Sequence, residues 1–269
     1  VAGLSAALYL AEAGYKTIVI EAGEAGSGAT GKSGGLLAPD FIRHTPSEIE
    51  KLWGPEKGKR LVNLVGNAAR KTRELIEEYG LSCDLQANGF WIPAHSQAVA
   101  KDLKIRTLDW QVRGYDVRFA DVEETAASLG SPRYCGAVKL AEGGAFNPLA
   151  FCRELARVGQ DAGAQLFYNS PVSSLERQDG KWRANTRNGC AEASKIILAA
   201  NGGNAALHPA LARTMLPLHV YEYATRPLTK EEREFVLPSG AAFTDKQSYL
   251  FTARFDNDGR LIAAFPDVL

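Results

Sequence analysis

A chain of 269 residues, 45% hydrophobic and 23% charged, has the make-up of a globular protein long enough to hold two interlocked domains. Lys plus Arg equal Asp plus Glu at 31 each, so no net field draws the protein to nucleic acid or to an anionic bilayer. No run reaches the roughly 18 apolar residues of a membrane span, and the expected partners are small molecules.

Cys83, Cys135, Cys152 and Cys190 lie far apart, without the close pairing of zinc or redox motifs, and His44, His95, His208 and His219 lack helical metal-ligand spacing. These patterns predict no metal site and fit a reducing cytoplasm. Val1 is preceded by no methionine and followed by no apolar leader, and the chain reads as one cut inside its first folding unit.

Residues 1 to 14, VAGLSAALYLAEAG, place Leu4, Ala7, Leu8 and Ala11 on one helical face, with Gly14 set to end the helix. Thr17 to Ile20 is a short apolar run that predicts a buried parallel strand closing on Glu21. A helix that opens on small residues, a Gly stop, an apolar strand and a terminal acid form the second half of a Rossmann mononucleotide unit. There the acid accepts hydrogen bonds from an adenosine ribose and the helix N-terminus faces the pyrophosphate. Gly3 then stands as the third fingerprint glycine, which places the first strand and two further glycines upstream of Val1.

From Gly23 to Gly35 the chain reads GEAGSGATGKSGG. Glycine at this density lets backbone N–H groups approach an anion or a flat ring, and Ser27, Thr30, Ser33 and Lys32 add donors and one charge. Two other readings fit the letters. One is a flexible linker; the other is a P-loop, since Gly26, Gly31, Lys32 and Ser33 match G-x-x-x-x-G-K-S. A P-loop joins a strand directly to a helix, whereas Gly34, Gly35 and Pro39 follow this motif and form helices poorly.

The order of Gly3, the segment GLSAALYLAEAG, a strand ending in Glu21 and then SGATGKSGG resembles the N-terminal signature of the D-amino-acid oxidase-like flavoenzymes. Within them it is similar to the branch that holds glycine and sarcosine oxidases and gamma-glutamylputrescine oxidase. Many of its relatives carry arginine and asparagine where this chain has Lys32 and Ser33.

Beyond the glycines, residues 47 to 80 carry apolar positions at helical spacing and predict two helices broken near Gly54-Pro55. Gly89 to Pro93 opens a strand, and a helix is expected over Ser96 to Arg113. Asn147 and Pro148 start a helix to about Ala162 that Gly163 stops, before a strand from Leu166 to Tyr168 returns the chain to the parallel sheet. Asp179-Gly180 and Asn188-Gly189 are hairpin dipeptides and predict a three-stranded meander. It leads to a buried strand, Ile196 to Leu198, and the small-residue turn Ala199-Ala200-Asn201-Gly202-Gly203. From Met215 onward, LPLHVYEYATRPL, Ala242 to Arg254 and Arg260 to Phe265 alternate as long antiparallel strands.

The expected fold is α/β, or α+β overall: a Rossmann-like FAD-binding domain with a parallel sheet and β-meander over 1–82 and 147–208, and an antiparallel-sheet substrate domain over 83–146 and 209–269. The resemblance implies FAD as cofactor, bound by Gly3, Glu21, Ala22, Ser27, Ala29, Thr30, Gly31, Lys32, Ser33, Gly34, Gly35, Val172, Ala200, Asn201 and Gly202. It implies oxidation of the C–N bond of an amine or amino acid by hydride transfer to flavin N5, with oxygen or another acceptor taking the electrons. No catalytic side chain is nominated; His44, Tyr249 and Arg254 are the candidates for substrate contact, the arginine as a carboxylate clamp. An NAD(P)-linked dehydrogenase and a cofactor-free fragment or binding subunit remain the alternatives, and the chain by itself is expected to bind FAD weakly.

Overall fold

The computed structural model describes residues 1–214, 220–247 and 250–264. In chain order the elements are α1 (Ala2–Glu12), β1 (Ile18–Ile20), β2 (Leu36–Leu37), α2 (Pro46–Trp53), α3 (Pro55–Gly66), α4 (Ala68–Glu78), β3 (Phe90–Pro93), α5 (Gln97–Gln111), β4 (Val117–Ala120), α6 (Val122–Leu129), β5 (Ala137–Leu140) and β6 (Gly144–Ala145). The later part adds α7 (Pro148–Asp161), β7 (Gln165–Phe167), β8 (Val172–Gln178), β9 (Lys181–Thr186), β10 (Gly189–Ala193), α8 (Asn204–Leu207), α9 (Pro209–Ala212), β11 (Glu222–Pro227), α10 (Lys230–Phe235), β12 (Ala242–Thr244), β13 (Thr252–Phe255) and β14 (Arg260–Ala264). None of the described helices is long and apolar enough to cross a membrane.

The chain divides into two compact units. The first takes Val1–Lys32 and Pro148–His219, the second Ser33–Asn147 and Val220–Leu269. In the first, β1 pairs with β7 in parallel, Val19 opposite Leu166. Helix α7 packs against α1 through an apolar stripe that buries Phe151, Cys152, Leu155, Ala156 and Val158. This is the spacing of one face of a helix. Gly163, at φ +99°, turns the chain from α7 into β7. The meander β8-β9-β10 is antiparallel throughout, and its first turn holds Asp179 and Gly180 at φ +51° and +77°, as a tight hairpin requires.

In the second unit seven strands form one sheet in the order β11-β14-β13-β12-β3-β5-β4, antiparallel except for the parallel pair β12–β3. Helix α5 starts at the Ser96 cap, whose hydroxyl accepts the Val99 N–H at 3.3 Å, and it buries Ala100, Leu103, Thr107 and Trp110. Ala100, Leu103 and Trp110 meet Ile49, Val62, Phe90, Ile92, Val138 and Leu140 in one core. Trp110 stacks on Phe41 at 5.9 Å and meets the edge of Tyr115 at 4.9 Å, while its indole N–H donates to Asp40 at 2.8 Å. Asp40 is the partner of Arg106, itself 7% exposed, so a buried charge is both paired and hydrogen-bonded.

The structure departs from the expected elements at five points. Residues 33–82 fall in the second unit, where α2 and α3 supply Ile49 and Val62 to the core beneath α5. The region 47–80 holds three helices: besides the break at Gly54-Pro55 there is one at Asn67, whose amide turns back to the Asn63 carbonyl at 2.8 Å. Strand β1 has β7 as its one neighbour among the described residues, which leaves Ile18 44% exposed instead of buried. Ile196 to Leu198 joins no described ladder, and Ile197 is 60% exposed. The expected strand from Ala242 to Arg254 is divided, because the fully buried Asp245 carboxylate accepts the N–H groups of Gln247 at 3.2 Å and Phe251 at 3.0 Å and closes a loop between β12 and β13.

Leu103, 2% exposed, and Ile105, 54% exposed, lie two residues apart on α5 and face opposite environments. Leu103→Ala is expected to cost about 2–5 kcal/mol and Ile105→Ala to stay within about 0.5 kcal/mol of wild type in urea unfolding. Equal losses at the two positions would contradict this placement of the core.

Candidate functional site

The end of β1 carries the first part of the site. Glu21 donates its N–H to the Phe167 carbonyl at 2.9 Å and accepts the Ser170 N–H on its own carbonyl at 2.9 Å, so backbone pairing continues one residue past the strand. Its side chain is thereby fixed at the end of β1, the strand that packs on α1. Oε1 accepts the Gly23 N–H at 3.0 Å, the one hydrogen bond to this carboxylate among the described residues. A carboxylate offers about four acceptor positions, so this one keeps the capacity to take two hydroxyl donors of a ribose.

Gly3 stands in the first turn of α1, where an added Cβ would lie 3.0 Å from the Ala199 Cβ. That distance brings α1 against the segment that leads to Ala200, Asn201 and Gly202. Asn204 staples this turn, its Oδ1 accepting the Ala200 N–H at 3.0 Å and its amide donating to the Leu198 carbonyl at 3.4 Å. Asn201 takes φ +49°, a conformation asparagine tolerates better than most residues. Sequence reasoning passed over Asn204; the available signal was an asparagine three residues after Asn201, placed to cap the turn.

The glycine segment is a folded knot and not a linker. Gly26 sits at φ +77°, a Cβ on Gly31 would lie 2.0 Å from the Gly26 carbonyl oxygen, and both glycines rest on Leu149 of α7. Ala22, Ser27, Ala29, Thr30 and Lys32 are exposed around it. Ala29–Lys32 forms a single 3-10 turn followed by a bend, so Gly-Lys-Ser opens no helix and the P-loop alternative lacks its architecture. Val172 begins β8, opposite Thr186.

Ser33, Gly34 and Gly35 belong to the second unit, where three contacts hold them. The Arg254 guanidinium donates through Nε to the Gly34 carbonyl, Phe146 donates its N–H to the Gly35 carbonyl at 2.9 Å, and β2 pairs with β6 directly after. A Cβ on Gly34 would lie 3.1 Å from a carboxylate oxygen of Glu222. Gly35 is buried at φ +65°, and its N–H meets no acceptor among the described residues. Buried backbone donors are nearly always paired, so a segment with one left over fits a ligand that presents an acceptor there, as the edge of a flavin does.

Of the candidates for substrate contact, Arg254 is 7% exposed, and besides Gly34 it donates through Nη1 to the Phe255 carbonyl at 3.1 Å. Burial lowers its pKa, against the pull of Glu222, Asp256 and Asp84, while burial raises the Glu222 carboxyl against the pull of Arg254. His44 is exposed, 3.7 Å from Glu48 at the start of α2, and its carbonyl accepts from Arg106 at 2.9 Å. Arg106 and Lys246 together pin residues 41–44, Lys246 donating to the Ile42 carbonyl at 2.5 Å; burial, with Arg106 adding to it, brings the lysine down to about 8. Tyr249 lies outside the described residues.

Comparison with known proteins bears on this arrangement. The family described as DAO, FAD dependent oxidoreductase, matches residues 1–267. The chain is 29% identical over 265 residues to the probable oxidoreductase OrdL of Haemophilus influenzae and 28% identical over 265 residues to the gamma-glutamylputrescine oxidoreductase of Escherichia coli. Each alignment covers 97% of this chain and 61% of the relative, so the chain spans about six-tenths of the length of the curated relatives it matches. Among solved structures, the glycine oxidase from Geobacillus kaustophilus superposes with a TM-score of 0.76 at 20% identity, covering 98% of this chain and 68% of that one, a likeness of fold.

Gly31→Ala, which forces a Cβ to within 2.0 Å of the Gly26 oxygen, is expected to destabilise by about 2 kcal/mol or more. Gly28→Ala, with nothing within 4 Å, is expected to melt within about a degree of wild type. Thermal melting of both variants checks the knot, and a harmless Gly31→Ala would contradict it.

Proposed function

The chain belongs to the DAO family of FAD dependent oxidoreductases, and from that premise we propose that it cradles FAD and serves the oxidation of a C–N bond in an amine or amino acid. The observation that carries the proposal is Glu21, held at the end of β1 beside α1 with acceptor capacity left over. NAD(P) would use the same acid; the meander and the family membership favour FAD.

In this reading Glu21 accepts the ribose hydroxyls, and Gly3 keeps α1 close enough for its N-terminal amides to face the pyrophosphate. Ala22, Ser27, Ala29, Thr30, Gly31, Lys32 and Ser33 border the phosphates and the ring edge. Val172 presents backbone to the adenine, Ala200, Asn201 and Gly202 close on the cofactor, and Gly34 and Gly35 line the flavin. A bound flavin would supply the two-electron acceptor for the hydride on the carbon beside an unprotonated amine; the iminium left behind would give up a proton to become an imine, which water would hydrolyse. The protein contributes orientation and exclusion of water, so no side-chain nucleophile is required. The partners are then a small amine or amino acid and oxygen or a second electron acceptor. None of the four cysteines is joined in a disulfide, which suits a reducing cytoplasm.

FAD titration of wild type and Glu21→Ala tests the cradle. The variant is expected to bind at least about tenfold more weakly, about 1.4 kcal/mol, and the wild-type flavin to bleach when an amine or amino acid is added without oxygen. Equal FAD affinity in the two proteins would remove Glu21 from the site. A flavin that no amine or amino acid reduces would end the catalytic reading.

A further inference from the structure

Arg254 is buried and spends Nε on the Gly34 carbonyl, an unusual use of a charged side chain on an interior strand of a sheet. The peptide that joins Gly34 to Gly35 is trans, so its C=O and N–H point in opposite directions. With the carbonyl turned onto Arg254, the Gly35 N–H is aimed away from it, and this is the buried N–H that meets no acceptor among the described residues. A cation on a carbonyl oxygen draws electron density through the amide, which makes the N–H on the other side a stronger donor. Charge-assisted hydrogen bonds are roughly twice as strong as neutral ones, and linked bonds reinforce one another by about 10–30%. Glu222 stands on the opposite side of the balance: its carboxylate abuts Gly34 and opposes the arginine's charge.

We propose that Arg254 is a positioning residue that acts through the Gly34–Gly35 peptide, aiming and polarising the Gly35 N–H toward the bound flavin, and that Glu222 tempers its charge. The inference rests on the reading of residues 33–35 as flavin-lining. It assigns Arg254 a task different from clamping a substrate carboxylate. A strengthened donor at the flavin edge favours the forms of the ring that carry negative charge, so Arg254 raises the readiness of the flavin to accept electrons and Glu222 lowers it.

The test uses the FAD-loaded protein and two readouts other than turnover: the flavin midpoint potential, by photoreduction against a reference dye, and the dissociation constant for sulfite, which adds to an electron-poor flavin. Arg254→Gln is expected to weaken sulfite binding tenfold or more and lower the potential, and Arg254→Lys, which keeps the charge, to recover most of the loss. Glu222→Gln is expected to tighten sulfite binding at least threefold and raise the potential. Glu222 lies on β11, the edge strand of the sheet, and glutamine keeps its size, so this variant decides the matter even where Arg254→Gln fails to retain flavin. Unmoved potentials and sulfite constants in loaded variants, with only KM for carboxylate substrates raised, would overturn the inference and leave the proposed function standing. A wild-type protein that takes up no FAD would overturn both.

Discussion

The parallel pairing of β1 with β7 sets the geometry on which the first unit depends. Because the two strands run the same way, the chain must leave β1, travel through another part of the fold and return by α7 before β7 can form. That detour puts α1 and α7 together and leaves the ends of both strands at one edge, where Glu21 is locked by Phe167 and Ser170. A residue whose backbone is fixed by two bonds at the end of a strand needs no large motion to receive a diol, and the cost of ordering that backbone has been met by the strand.

The second unit solves a different problem, that of keeping a glycine-rich segment in one conformation. Glycine loses more freedom on folding than any other residue, so a run such as Ser33-Gly34-Gly35 stays ordered only where its surroundings over-determine it. Here the over-determination comes from a buried guanidinium on one carbonyl, the Phe146 N–H on the next and the β2–β6 pair directly after. A few residues on, Asp40 and the carbonyls of Phe41, Ile42 and His44 are taken up by Trp110, Arg106 and Lys246. The segment proposed to line the flavin is therefore held on both sides by buried partners.

Much of this was legible from residue patterns, and the reasons differ by element. Gly14, Gly163 and the Asp179-Gly180 turn announced their breaks because positive φ is costly for other residues, and all three adopt it. The α7 stripe and the Ser96 cap followed from period and capping chemistry. Harder to read were the places where long-range partners decide: Asp245 looks like an ordinary polar residue in a strand until its carboxylate is seen closing a loop, and Asn67 gives no warning that it ends one helix and starts the next. Residues 33–82 joined the second unit because Ile49 and Val62 found α5, a pairing that no local pattern encodes. Arg254 was singled out by its place on a late strand, but its hold on Gly34, 220 positions away in the chain, needs coordinates.

A crystal structure of the protein with FAD bound tests the central claim most directly. The account predicts both ribose hydroxyls of the adenosine within about 2.5–3.0 Å of the Glu21 carboxylate oxygens. An adenosine seated elsewhere, with Glu21 left to Gly23 and solvent, would contradict it.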